Sequence, residues 1–296
     1  MRRAGAVDIG GTRTKIGIVA EDGSVVKSEA VGTSAAGDPE PLVTSIARTL
    51  GPMITSAGPV VGVGVSVAGF LDREHAVMIE NANLPRLCGF PLKRALMERL
   101  GLDCRLEVDS NAAVLAEHRF GAGKGASRLL GVTVGTGLGG GVIIDGELLR
   151  YTGECAGDVG HIILDPAGRL CTCGARGCLE ALVCTAALSE RAGGRRTRDV
   201  VAAGQRGEER AAAALAETGR WLGLGLASLA PLFAPERIVV GGGVAAAGEL
   251  LLEPARESFR KHAAPGFRDR VEIVGSTFSG REGMIGAASL FLEPPA

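Results

Sequence analysis

Apolar residues along this chain alternate in some stretches and recur at helical spacing in others, and the changes of period mark out its elements. AGAVDIG (4–10) and KIGIVA (15–20) predict two strands joined by GTRT, and EDGSVVKSEAV predicts a further turn and strand. PEPLVTSIARTLGPMI (39–54) has helical spacing, whereas VVGVGVSVAGF (60–70) is β-branched and glycine-bounded, as a buried strand should be. FPLKRALMERLG (90–101) predicts an amphipathic helix ended by Gly101. CRLEV (104–108) reads as a strand and SNAAVLAEHRFG as a helix beginning at Ser110, with Asp109 placed to cap it.

The pattern then restarts. RLLGVTVGTGLGGGVIIDGELL (128–149) predicts strand, glycine turn and strand, much like the opening of the chain. A mainly helical stretch follows a cysteine cluster, with ERAAAALAETGRWLGLGLASLAPLF (209–233) at its centre. PERIVVGGGVAAAGELLLEPARESF (235–259) predicts strand, glycine loop and helix; VEIVGSTF (271–278) a strand; GMIGAASLFL (283–292) a closing helix. The recurrence of strand–glycine–strand suggests two related α/β lobes facing each other across a cleft. The smaller lobe is expected over 1–115, joined by a C-terminal helix at 283–296, and the larger over 116–282. A chain of 296 residues is long for one compact domain and fits two lobes.

Three glycine clusters follow apolar strands: DIGGT (8–12), GTGLGGG (135–141) and GGG (241–243). Glycine lets backbone N–H groups approach and wrap a phosphate oxygen. Gly10, Gly11, Gly135, Gly137, Gly241 and Gly242 are the backbone candidates, with Lys15 beside the first cluster and hydroxyls from Thr12 and Thr136. Asp8, ending its strand, is placed to hold Mg²⁺ through water with a hard carboxylate oxygen. A single such loop is more often a plain tight turn. No G-x-x-x-x-G-K-[ST] run occurs, and GTGLGGG lies between two strands rather than between strand and helix, which disfavours P-loop and dinucleotide motifs.

In AGDVGHIILDPAGRLCTCGARGCLE (156–180), His161, Cys171, Cys173 and Cys178 make a Cys₃His set suited to tetrahedral zinc. Four protein ligands leave no open position, so the metal is expected to be structural. Asp158 and Glu180 flank the loop, and carboxylates fixed there would be good acceptors for hydroxyl groups of a ligand. Seven cysteines, an odd number with three of them packed here, favour metal or free thiols over a disulfide framework.

DIGGT, VDSNAAVLAE, VTVGTGLGGG, AGDVGH with CTCGARGCLE, and VVGGGV stand in the order found in ROK-family sugar kinases. The chain resembles that family over essentially its whole length. The resemblance implies an α/β, two-lobed, actin-like/hexokinase-like (ribonuclease H-like) ATPase fold with a central cleft. It implies transfer of the γ-phosphoryl of ATP to a hexose, often at the 6-hydroxyl of glucose, and often a homodimer. By position Asp109 matches the family's catalytic base, which would orient a sugar hydroxyl and accept its proton. Asn83 and Glu180 resemble sugar contacts, and His161 resembles a residue that binds zinc and a sugar hydroxyl at once; Gly69 joins the substrate candidates. Two positions depart from the pattern: Val108 stands where the family usually has Asn, and Asp158 where it usually has Glu. Both suggest an acceptor other than plain glucose, such as an amino sugar, deoxy sugar or cyclitol, while the resemblance keeps glucose among the expected acceptors. Some ROK proteins are repressors with an N-terminal helix-turn-helix; this chain opens at the phosphate strand, and a kinase is expected, with a sugar-sensing protein of weak activity as the alternative.

Bulk composition narrows partners rather than chemistry. Lys+Arg at 32 against Asp+Glu at 33 gives a net charge of −1, with no basic stripe, which argues against nucleic acid. Neither a signal-peptide stretch nor a membrane-length apolar run is visible, so a cytoplasmic chain without a membrane partner is expected.

Overall fold

The computed structural model describes residues 1–33, 38–81, 84–150, 158–278 and 280–293. Within them the chain divides into two compact units, one holding 1–121, 150 and 281–293, the other 122–149, 158–278 and 280.

The first unit is built on β1 (Arg3–Ile9), β2 (Arg13–Ala20), β3 (Val25–Gly32), β4 (Val63–Val67) and β7 (Cys104–Val108), in the order β3-β2-β1-β4-β7. A two-stranded ribbon, β5 (Phe70–Leu71) with β6 (Met78–Glu80), follows β4. The β1–β2–β3 meander is antiparallel, and β4 and β7 add in parallel. Alternation along β1 sorts its two faces. Val7 and Ile9 join the core filled by α1 (Pro39–Ala57) and α2 (Leu92–Leu100), while Ala4 and Ala6 pack with Met284, Ala288 and Leu292. Asp38 caps α1 by accepting the Glu40 N–H at 3.1 Å, with Pro39 at the first helical position. Gly101 ends α2 with left-handed backbone, as its sequence position predicts.

The helix α3 (Asp109–Phe120) starts one residue earlier than its sequence suggests. Val108, in extended backbone, occupies the cap position, and Asp109 is already inside the first turn. Among the described residues its Oδ1 accepts the neighbouring Ser110 N–H, at 2.8 Å. The side chain is therefore not committed to capping. The predicted strand over 60–70 is likewise broken: at Gly69 (φ 102°) the chain turns so tightly that a Cβ would collide with the Glu80 carbonyl.

The second unit repeats the strand order of the first. β8 (Leu129–Val134), β9 (Leu138–Ile144), β10 (Glu147–Leu148), β11 (Arg237–Gly241) and β12 (Glu272–Gly275) stand as β10-β9-β8-β11-β12, again an antiparallel meander extended by two parallel strands. Helices α4 (Leu179–Val183), α5 (Thr185–Arg191), α6 (Thr197–Gln205), α7 (Glu209–Phe233) and α8 (Glu249–His262) bury a continuous apolar core with it. The last helix, α9 (Glu282–Ser289), returns to the first unit and packs on β1, β4 and α3. No helix among the described residues is long and apolar enough to cross a membrane.

Candidate functional site

Strand register assembles the first cluster. Asp8 on β1 lies opposite Lys15 on β2 and beside Ser66 on β4. Lys15 Nζ is 3.1 Å from Asp8 Oδ2, and the fully buried Ser66 donates its hydroxyl to Oδ1 at 3.2 Å. Ser66 was not singled out from sequence; its signal is a lone hydroxyl in an otherwise apolar strand. The turn that follows holds Gly10, Gly11 and the exposed Thr12; the Gly10 N–H donates across the hairpin to the Arg13 carbonyl at 3.1 Å. Asp8 thus offers a hard carboxylate with one protein donor on each oxygen and further lone pairs free to face a hydrated Mg²⁺. That donor set fits the ion.

Asp109 follows directly on β7 in the same sheet. Its side chain is solvent-exposed, yet the surrounding protein desolvates the carboxylate enough to raise its pKa, and the negative charge of Asp8 adds to the rise. An exposed, weakly engaged carboxylate of raised basicity is what proton abstraction from a hydroxyl requires. Glu282, at the start of α9, was also missed by sequence reading: burial raises its pKa, Lys15 and Asp8 both act on its charge, and its buried Oε2 has no hydrogen-bond partner among the described residues. Asn81, fully buried, donates to the Ala68 carbonyl and accepts the Leu84 N–H at 2.8 Å, so it braces the loops around Gly69. Gly69 itself serves this turn. Asn83 lies outside the described residues.

The second unit gathers the remaining candidates. Gly135, Thr136 and Gly137 form the β8–β9 turn, closed by a 2.8 Å bond from the Gly135 N–H to the Gly137 carbonyl. Gly241 ends β11, and Gly242 (φ 89°) passes so close to the Val134 backbone that no side chain fits. Two of the three glycine clusters therefore meet at the end of β8.

His161, Cys171, Cys173 and Cys178 converge, with their ligand atoms all within 4.8 Å of one another. Tetrahedral zinc with Zn–S of about 2.3 Å and Zn–N of about 2.0 Å sets sulfurs ~3.8 Å apart and sulfur ~3.6 Å from nitrogen. The Cys173–Cys178 sulfurs are 3.7 Å apart, and Cys171 Sγ is 3.6 Å from His161 Nδ1. Burial, and then the neighbouring Cys173 and Cys171, push the Cys178 thiol up to about 12; a bound zinc would favour its thiolate form. The residues fit zinc. Ligation through Nδ1 leaves Nε2 for the second shell, where Asp158 Oδ2 stands 3.4 Å away. Burial raises the Asp158 pKa and the neighbouring histidine opposes it.

Glu180 is arranged differently from a simple sugar contact. Its Oε2 accepts the Leu138 N–H at 2.9 Å, and its Oε1 accepts the Thr172 hydroxyl at 2.9 Å. Oε1 also accepts from the Cys171 sulfur at 3.5 Å, so the carboxylate links the cysteine loop to the β8–β9 turn and keeps little free capacity for a ligand.

A family model described as "ROK family" matches residues 4–293. The chain belongs to the ROK family. Among its ROK relatives, a glucokinase of Streptomyces coelicolor is 35% identical, covering 97% of each chain. An N-acetylmannosamine kinase of Escherichia coli is 30% identical, also covering 97% of each. A ROK family glucokinase from Streptomyces griseus, in complex with glucose and AMPPNP, matches with a TM-score of 0.84 at 34% identity, over 98% of this chain and 99% of that one. The fold is accordingly the α/β, two-lobed, actin-like and hexokinase-like one expected from sequence.

Proposed function

We propose that this chain is an ATP-dependent sugar kinase that transfers the γ-phosphoryl group to the primary hydroxyl of a hexose or hexose-like ring. The observation that carries the reading is Asp109: an exposed residue whose carboxylate has a raised pKa and, among the described residues, one local N–H partner, one strand away from the Asp8–Ser66 pair. Membership of the ROK family and glucokinase relatives spanning 97% of the chain support it.

Asp109 orients the acceptor hydroxyl and takes its proton as the new P–O bond forms. Asp8 would hold Mg²⁺ through water, and Lys15 would neutralise phosphate charge. Mg²⁺, when bound, offsets the negative charge of the phosphates. The turns at Gly10–Thr12, Gly135–Gly137 and Gly241–Gly242 offer backbone N–H groups to the nucleotide, together with the hydroxyls of Thr12 and Thr136. His161, Asp158, Glu180, Gly69 and Asn83 are the proposed sugar-binding set, with His161 shared with structural zinc. The assembly is proposed to be a homodimer.

Acceptor choice is read from Val108 and Asp158. Val108 packs with the apolar core of the first unit and offers no hydrogen bond from its side chain. A polar site rejects a substrate lacking its partner group far more strongly than an apolar site rejects an added hydroxyl. Val108 therefore lowers discrimination in favour of glucose. The test is ADP release at saturating ATP across glucose, N-acetylmannosamine, deoxy sugars and cyclitols. Turnover with at least one acceptor well above ATP hydrolysis alone is expected. Sugar binding without turnover on any of them would overturn the kinase reading in favour of a sensor.

A further inference from the structure

Beneath Asp109 lies a carboxylate that no step above uses. Glu107, in β7, has a side chain closed off from solvent. Its Oε1 accepts two bonds, from the Val108 N–H at 3.0 Å and from Asn111 Nδ2 at 3.0 Å. Its Oε2 accepts from Arg150 Nε at 2.9 Å. These donors bracket Asp109 in sequence, with Val108 before it and Asn111 in the same first turn of α3. His75, held in left-handed backbone at φ 49°, closes the other side: Nδ1 is 3.3 Å from the Leu106 carbonyl and 3.8 Å from Glu107 Oε1. A non-glycine residue in that conformation persists only where its surroundings hold it.

A buried carboxylate is costly unless paired and hydrogen-bonded, and this one is fully engaged. Two of its bonds go to the segment carrying the proposed base rather than to the core. Its ionic partner Arg150 keeps 42% of its side chain exposed, on the wall of a cavity of about 760 Å³ that Asp109 does not line. A half-open guanidinium does not seal a core. It can hold the orientation of Glu107 from behind.

We propose that Glu107 is a positioning residue for phosphoryl transfer. It fixes the Val108 main chain and the Asn111 side chain so that the Asp109 carboxylate is presented in one geometry, and Arg150 pairs with Glu107 at 2.9 Å and holds it in place. The proposal rests on the reading of Asp109 as the base. Because the network touches neither Lys15 nor the glycine turns, its loss should slow the proton-transfer step and spare nucleotide binding.

The experiment compares wild type, Glu107→Gln, Arg150→Ala, Arg150→Lys and the double variant Glu107→Gln/Arg150→Ala, with kcat, KM for acceptor, Kd for ATP and Tm measured for each. Glutamine keeps the shape and one oxygen acceptor but removes the charge. Glu107→Gln should lose about tenfold or more in kcat while ATP Kd stays within about twofold, a misplacement-sized effect. Arg150→Ala should lose less, Arg150→Lys should recover most of that loss, and the double variant should be no worse than Glu107→Gln alone. A kcat for Glu107→Gln within about twofold of wild type would overturn the proposal, as would an equal weakening of ATP binding. Should Glu107→Gln fail to fold, the arginine pair decides: wild-type kcat in Arg150→Ala overturns it. A wild type without turnover on any acceptor defeats the kinase reading and this one together, whereas an active wild type with unimpaired variants defeats this one alone.

Discussion

Asp109 differs from its neighbours in how little holds its side chain. Among the described residues the carboxylate accepts one local N–H, while Glu107, two residues earlier, is saturated with donors. Asp109→Asn keeps the shape and removes the base, so turnover should fall by about 10²–10⁴-fold, the usual worth of general base catalysis, with ATP binding retained. Activity near wild type would remove the assignment. The pH profile gives a second check. Desolvation by the surrounding protein and the charge of Asp8 raise the Asp109 pKa, and only the deprotonated form can accept a proton. Activity should therefore decline as pH falls through a value above the ordinary aspartate range. An acid limb at or below that range in a kcat/KM profile would contradict the argument. At Val108, substitution by asparagine restores a polar contact where the side chain now packs with apolar neighbours, and kcat/KM for glucose should rise relative to the other acceptors. An unchanged ratio would show that this position does not set acceptor choice.

At the scale of elements, the loop from His161 to Cys178 packs Ile162 and Leu164 on the core of the second unit, while its cysteine end is left to the proposed metal. Its buried cluster of Cys171, Cys178 and Ala181 is small. Cys173→Ser should lower bound zinc from one per chain, as metal analysis by mass spectrometry would read it, and lower Tm, since folding and metal binding are coupled in such sites. It should also weaken ATP binding, because Thr172 and Leu138 share the Glu180 carboxylate. Full zinc content in purified Cys173→Ser would contradict the ligand assignment. The legibility of the elements follows their physics. Strand β7 and helix α7 fall where periodicity puts them, at 104–108 and 209–233, because strong patterns with sharp punctuation bound them. The strand over 60–70 is split because the contact of Gly69 with the Glu80 carbonyl is tertiary and leaves no local trace. Helix α3 gains Asp109 because extended Val108 takes the cap position. The Cys₃His set was legible from spacing alone. The tie from Glu180 to Leu138 was not, since it joins residues 42 apart through one backbone N–H. Glu107 sat in plain view at the end of an apolar strand, but its partners Arg150 and His75 come from distant loops.

For the whole molecule, the recurrence of strand–glycine–strand in sequence has its counterpart in two sheets of the same strand order. Each contributes its own chemistry. The first unit carries Asp8, Lys15, Ser66 and Asp109; the second carries the β8–β9 turn, the Cys₃His loop, Asp158 and Glu180. The central claim is that these parts perform phosphoryl transfer from ATP to a sugar hydroxyl with Asp109 as the base. The most direct measurement follows the γ-phosphoryl of labelled ATP into the best acceptor, in wild type and Asp109→Asn side by side. The account predicts labelled sugar phosphate from wild type, a loss of about 10²-fold or more in the variant, and equal ATP binding by both. Labelled sugar phosphate formed equally fast by both proteins, or by neither, would contradict it.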